Sequence, residues 1–379
     1  MRLAIPSLVL FLYIFVSLIW FLPCRPLVKV AAGVVLFVIG LKYLIYEKIG
    51  GSFIAPDLPH ALLLSMEILY GVMVILFFLL LLKDGLALFL WLGRCLGGSW
   101  HLPFTPAIRG GGLTLAALGL GLFGTWRSLI VPDVRNVEIA LPRLPANLDG
   151  VTIVQLSDIH IGPLLKEDWL RAVVAKTNAQ RPDLVVLTGD MIDGYAEALQ
   201  EDIAPLGDLQ AGYGVYGVTG NHEYYFHARE WLPVFEKLGI VMLNNEHRTL
   251  SLHGKELVLA GVPDLIAQQF GGEGPDSDKA LDGAPSGVRI LLKHRPSGAS
   301  GNARADLQLS GHTHGGQLIF LKWLIASFNG NLVEGLFEMD GMQVYVSPGT
   351  GMWSGFSCRL GVPAEITRII LRARTEKQD

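Results

Sequence analysis

Four apolar runs fall within the first 131 residues, and they limit the architecture more than any other feature of the sequence. Residues 4–22 (AIPSLVLFLYIFVSLIWFL), 27–46 (LVKVAAGVVLFVIGLKYLIY), 61–82 and 111–131 each have the length that crosses a hydrocarbon core of about 30 Å. A soluble bundle would carry charged outer faces, and these runs hold almost no charge. The expectation is an N-terminal all-α transmembrane region of about four helices over residues 1–131. Residues 86–93 are too short to cross alone; they extend the third helix past Lys83 and Asp84 or lie along the interface. Arg2 gives the first run the look of a signal peptide, but no small-residue cleavage site follows, so it is read as a retained anchor. Lys42 and Glu67 fall near the same membrane face, where they pair or snorkel.

Four crossings put both chain ends on one side. Arg25, Lys29, Lys83, Arg94 and Arg109 then lie in the connections after the first and third runs. Arg2, Lys42, Lys48, Arg127 and Arg135 lie opposite, so the positive-inside rule favours an extracytoplasmic hydrophilic part only by a small margin. The membrane expected is an inner or plasma membrane of the bacterial type. Composition narrows the rest. A net charge of −4 with dispersed basic residues leaves no footprint for nucleic acid, and three cysteines provide neither a disulfide framework nor a CxxC zinc site.

From residue 132 the composition changes. PDVRNVEIALPRLPANLDG is punctuated by proline and reads as a linker with an outer strand over residues 132–149, ahead of a domain over 150–379. That domain opens on VTIVQLSDIHIG, a buried strand pattern whose end carries Asp158 and His160 at alternate positions, on one face. Residues 166–180 have helical spacing, LVVLTGD is a second buried strand ending in Asp190 and Asp193, and a helix over 196–209 leads to GVYGVTGNHE with Asn221, His222 and Glu223. A helix over 229–239 follows. IVMLNN, RTLSLHG and ELVLAGV then read as an antiparallel series that starts a second sheet. Asp264 after it reads as a loop cap, and residues 270–287, rich in Gly, Asp and Pro, read as a mobile loop over the substrate.

VRILLKHRP delivers His294 to a strand end, and DLQLSGHTHGGQ delivers His312 and His314, whose i, i+2 spacing in a glycine-rich loop lets both imidazoles converge. Five of the ten histidines thus stand at the ends of apolar strands, too many for chance placement. Asp193 suits an N-cap or a supporting acceptor as well as a ligand, and Glu223 suits fixing its loop, orienting His222 or facing solvent. Arg359, in the closing segment SPGTGMWSGFSCRLGVP, suits a phosphate clamp or a structural ion pair equally.

In order and residue type these five clusters resemble the motifs of the calcineurin-like metallophosphoesterases, over roughly residues 150–370, and the closing segment resembles their membrane-anchored branch. The resemblance implies a four-layer α/β/β/α sandwich and two divalent metal ions. Asp158, His160, Asp190 and His314 would hold the first, and Asp190, Asn221, His294 and His312 the second. Nitrogen and oxygen donors without thiolate suit Mn, Fe or Zn better than Ca. His222 would face the phosphate and protonate the leaving oxygen while hydroxide attacks in line. The implied activity is hydrolysis of a phosphodiester or phosphomonoester, on an envelope or lipid-linked substrate, with membrane lipid as the other partner. Two alternatives stand beside it. One is a UDP-2,3-diacylglucosamine pyrophosphatase-like hydrolase of lipid A synthesis; the other is a degenerate metal-binding sensor on a transport or signalling module.

Overall fold

The computed structural model of the protein describes residues 4–302 and 304–373. Its internal contacts divide the chain into a helical unit, Met1–Arg127 with Ser354–Cys358, and an α/β unit, Ser128–Trp353 with Arg359–Asp379.

In the helical unit, α1 (Ala4–Ile14) runs into a π-helical turn over Phe15–Ile19. It is followed by α2 (Pro26–Gly40), α3 (Lys42–Ile49), α4 (His60–Cys95) and α5 (Pro106–Leu129). Among the described residues two helices, α4 and α5, are long and apolar enough to cross a membrane, and α2 with α3 makes a third if that bent pair counts as one span. The expected four crossings are corrected accordingly. The first run is helical only to Ile19, and those residues reach about 24 Å at the α-helical rise, short of a hydrocarbon core of about 30 Å. The second run breaks at Leu41, where the axis bends by 57°. Residues 86–93 lie inside α4, a continuous helix of 36 residues.

Lys42 opens α3 just past that bend. Its Nζ lies 2.6 Å from Glu67 Oε1 on α4, and both side chains are completely buried. Glu67 also accepts a hydrogen bond from Tyr46 Oη at 2.7 Å and one from the Ser357 backbone N–H at 2.9 Å, while Lys42 donates to the Gly355 carbonyl at 2.8 Å. The rings of Tyr43, Tyr46 and Tyr70 lie 4.5–5.3 Å from the ammonium. A buried charge pair is tolerated when its remaining donors and acceptors are met in this way.

The α/β unit has the order β1 (Asp133–Leu141), β2 (Thr152–Leu156), α6 (Glu167–Asn178), β3 (Leu184–Thr188), α7 (Ala196–Ile203), β4 (Val215–Val218), α8 (Asn221–Tyr225) and α9 (Ala228–Lys237). It continues through β5 (Ile240–Met242), β6 (Glu246–Leu252), β7 (Lys255–Gly261), α10 (Ser277–Ala280), β8 (Val288–Leu292) and β9 (Leu307–Ser310). It closes with α11 (Lys322–Phe328), β10 (Gly335–Met339), β11 (Met342–Val346) and β12 (Glu365–Ala373). Two six-stranded mixed sheets result, in the orders β1-β12-β2-β3-β4-β5 and β10-β11-β9-β8-β7-β6.

Strands β2, β3, β4 and β5 are parallel, and so are β7, β8, β9 and β11. The expected antiparallel series is therefore corrected. IVM is the parallel edge of the first sheet, and in the second sheet only the flanking β6 and β10 run antiparallel. The tight turn at His253 and Gly254, both at positive φ, returns β6 onto β7 as a hairpin, whereas longer crossovers make the central strands parallel. Alternating side chains, among them Ile153, Leu184, Val186 and Ile369 from one sheet and Leu257, Ile290, Leu307 and Tyr345 from the other, share one core. The outer face of the second sheet, with Val258, Ala260, Leu291 and Val344, packs among the described residues against α10 and short turns around Ala299 and Leu332. The fourth layer is thin. Residues 270–287 contain α10, whose first turn is capped by the Asp276 carboxylate on the Lys279 N–H.

Candidate metal centre

Parallel strands deliver their C-terminal ends to a common edge, and the chemistry of this chain collects there. Asp158 and His160 follow β2, Asp190 and Asp193 follow β3, Asn221 to Glu223 open α8 after β4, His294 follows β8, and His312 and His314 follow β9. The reading of Asp158 and His160 as strand neighbours is corrected, because β2 stops at Leu156. Asp158, His160, Asp190, His312 and His314 all lie in the left-handed region, with φ between 49° and 70°. Such backbone is costly for residues other than glycine, at about 1–3 kcal/mol each, and persists where surrounding bonds enforce it. Here the loops interlock: Asp158 N–H donates to Gly189 O at 3.0 Å and His160 N–H to Asp190 O at 3.1 Å. Two motif glycines exist for close approach. A Cβ on Gly220 would stand 2.1 Å from Asp190 Oδ1, and one on Gly311 would stand 1.9 Å from Ser157 Oγ.

Among the described residues three groups of side-chain donor atoms form, each with all atoms within 4.8 Å of one another: Asp158, His160 and His314; Asp190, His294 and His312; and His160, Asp193 and His222, the last joined by the hydrogen bonds of Asp193. His160 Nε2 and His314 Nε2 are 3.2 Å apart, with Asp158 Oδ1 3.5 Å from the latter. In the second group His294 Nε2 lies 3.2 Å from both His312 Nδ1 and Asp190 Oδ2. Asp190 Oδ2 also lies 3.9 Å from His160 Nε2, so this carboxylate stands between the groups. His312 and His314, expected to converge on one point, go to different groups. Asn221 Oδ1 is buried and has no hydrogen-bond partner among the described residues.

The supporting contacts fix which ring nitrogens are free. His294 Nδ1 is 2.8 Å from the Thr188 carbonyl and must carry the proton there, leaving the Nε2 lone pair for the centre. His160 Nδ1 is 3.0 Å from Asp193 Oδ1, with the same result. Asp193 Oδ1 also takes His222 Nδ1 at 2.5 Å, so this acid orients two imidazoles. Burial, then neighbouring cationic groups, pushes His312 and His314 well below the ordinary imidazole range, so both are neutral donors. Burial opposes ionisation of Asp190, but His294 and His222 outweigh it and hold the carboxyl well below the usual range. His222 is held up to about 9 against its burial by Asp190 and Asp193; cations on those carboxylates would take that support away.

Buried carboxylate and imidazole donors with an orphaned amide oxygen among them fit a pair of divalent cations. Glu223 is buried and accepts the backbone N–H groups of Asp190, Met191 and Gly220 at 2.6–3.0 Å, so it fixes the loops. Arg359 is buried too. Its Nη2 donates to the Pro348 and Gly351 carbonyls at 2.8 and 2.9 Å and lies 3.3 Å from His314 Nδ1, so its guanidinium is committed to the surrounding loop.

Three contributors were not singled out from the sequence. Ser157 Oγ donates to Asp158 Oδ2 at 2.5 Å, Trp353 sets its ring edge-on to His222 at 6.2 Å between centroids, and Arg295 Nε pairs with Asp264 Oδ2 at 2.8 Å. Asp264 also caps the Ile266 N–H at 2.9 Å. Arg295 and Ser157 stand beside motif residues, a usable signal; nothing in the sequence places Trp353 next to His222.

Fold and donor set together define a metal-dependent phosphoesterase. Residues 151–316 match the family model described as calcineurin-like phosphoesterase. The chain is 35% identical over 336 residues to the "Transmembrane protein with metallophosphoesterase domain" of Danio rerio, covering 84% of this chain and 76% of that protein. Its identity to the protein of the same name in Bos taurus is 37% over 300 residues, with 74% and 66% covered. The "Uncharacterized metallophosphoesterase YkuE" of Bacillus subtilis (strain 168) is 32% identical, and the match covers 70% of this chain and 94% of that one. The chain belongs to the calcineurin-like metallophosphoesterases.

Proposed function

We propose that this protein hydrolyses phosphoesters, diester or monoester, of an envelope or lipid-linked substrate, with two divalent cations held by Asp158, His160, Asp190 and His314 and by Asp190, Asn221, His294 and His312. The observation that carries the reading is the buried Asn221 Oδ1, unpartnered among the described residues, on the residue before the His222 N–H that binds the Asp190 carboxylate, which itself stands between two groups of lone-pair donors. When bound, such cations polarise the phosphate and acidify water. The chain's own residues do the rest. Asp193 holds His222 by Nδ1, which leaves Nε2, 3.8 Å from Asp190 Oδ2, to steady the developing charge or protonate the leaving oxygen. Glu223 and Arg359 keep the loops in place. A complete donor set speaks for hydrolysis over a degenerate sensor. The apolar helices α4 and α5 in the same chain favour a membrane-borne substrate. Arg94 and Arg109, bracketing the connection between them, favour a cytoplasmic side for that connection and an extracytoplasmic one for the α/β unit.

The test is turnover of bis-p-nitrophenyl phosphate against p-nitrophenyl phosphate by the full chain in detergent. The protein is stripped of metal and then supplied with Mn, Zn or Mg, with Asp190→Asn as control. Metal-dependent cleavage lost in the variant is the expected result; folded protein that binds metal and cleaves neither ester sinks the proposal.

A further inference from the structure

Immediately after the metal-centre loop, Ile319–Phe328 reads IFLKWLIASF, with seven large apolar side chains in ten residues. Not one residue of this segment is buried: Ile319, Trp323 and Phe328 are 59%, 71% and 75% exposed. Scattered apolar residues on a surface are ordinary, but a contiguous helical set of this kind marks a partner. The segment is also firmly presented. Leu318 before it and Asn329 after it are buried, Ile319 N–H donates to Leu360 O at 2.9 Å, and Asn329 Nδ2 caps the Ile325 carbonyl at 2.9 Å. The one charge in it, Lys322, is paired with Glu334 at 2.5 Å.

We propose that Ile319–Phe328 inserts into the bilayer interface and seats the mouth of the metal centre on the membrane. The occupant is lipid because the chain itself supplies the bilayer. Only three residues separate the end of α5, an apolar helix long enough to cross, from the first strand of the α/β unit, a tether of at most about 14 Å. A surface held that near by covalent linkage meets lipid at high effective concentration, whereas a second copy has to be recruited. The residue types agree: a Trp and two Phe among aliphatics, with the lysine neutralised, are what an interfacial helix buries to a depth of about 5–10 Å. The helix Lys322–Phe328 contacts the turn His314–Gly316 of the metal-centre loop, so lipid contact here brings substrate from the membrane plane. This consequence rests on the phosphoesterase reading; the insertion itself does not.

The experiment uses the full chain in phosphatidylcholine–phosphatidylglycerol vesicles. A nitroxide is placed at Trp323→Cys after Cys24→Ala and Cys95→Ala, with the buried Cys358 retained. Insertion makes the label more accessible to oxygen than to nickel-EDDA. The reverse order means a water-facing helix, and spin–spin broadening between labels means a second copy; either overturns the proposal. In parallel, Ile319→Ser/Trp323→Ser/Phe328→Ser is assayed on hexadecyl p-nitrophenyl phosphate in vesicles and on soluble bis-p-nitrophenyl phosphate. The expected loss is about tenfold in kcat/KM on the embedded ester alone. Equal loss on both substrates counts against docking. Absence of all hydrolysis beside an oxygen-accessible label would sink the phosphoesterase reading and leave the insertion standing.

Discussion

The helical unit and the α/β unit each bury a cluster of charged side chains, and the two clusters are finished differently. Lys42 and Glu67 meet at 2.6 Å, and their other polar atoms are taken up by Tyr46 and by the backbone of Gly355 and Ser357. In the α/β unit Asp158, Asp190 and four imidazoles face one another across 3.2–3.9 Å, and the buried Asn221 Oδ1 has no partner among the described residues. A closed network is a structural element; an open one of the same polarity is a site for something positive. The comparison teaches that satisfaction of donors and acceptors, more than charge or burial, separates the two uses.

Breaking the open cluster at its shared member should have the largest effect. Asp190→Asn removes the carboxylate between the two donor groups and is expected to lower kcat by about 10³-fold or more, with metal content measured on the same sample falling too. The closed cluster should respond in stability. Lys42→Met strands Glu67 without its counter-charge and should cost about 3–5 kcal/mol in denaturant unfolding of the full chain, while Lys42→Met/Glu67→Leu recovers most of that loss. A double variant as unstable as the single one would mean the pair does more than neutralise itself.

Sharper resolution inside the open cluster comes from residues that hold no cation in the proposed scheme. His222→Ala is expected to reduce kcat by about 10²-fold with metal content retained, and parallel loss of both would contradict its assigned role. The smallest effect is expected at Asp193, which bears on the centre through His160 and His222. Asp193→Asn should weaken metal affinity or activity by about 10- to 100-fold, measured by metal titration beside turnover.

Much of this was legible in the chain. Asp158, His160, Asp190, Asn221, His294, His312 and His314 each follow a short apolar strand, and a strand pattern followed by a polar residue is a local signal. The roles of Asp193 and Glu223 stayed open because an acid a few residues past a strand can cap, ligate or support. Only the position of His160, His222 and three backbone N–H groups decides between these. Arg359 was undecidable for the same reason: its partners are the carbonyls of Pro348 and Gly351, 11 and 8 residues back in the same closing segment. The number of membrane crossings was overcounted because hydropathy sees neither the π-helical turn after Ile14 nor the bend at Leu41.

The sequence by itself determined that apolar helices precede an α/β unit, and that oxygen and nitrogen donors stand at the strand ends, because periodicity and residue type are local properties. Tertiary structure alone decided that Glu223 takes three backbone N–H groups and that IVM closes the first sheet. It also decided that Lys42 pairs with Glu67 and does not snorkel, and that Ile319, Trp323 and Phe328 are exposed. Each of these depends on which distant segment arrives within hydrogen-bonding or packing distance, and no local pattern encodes that.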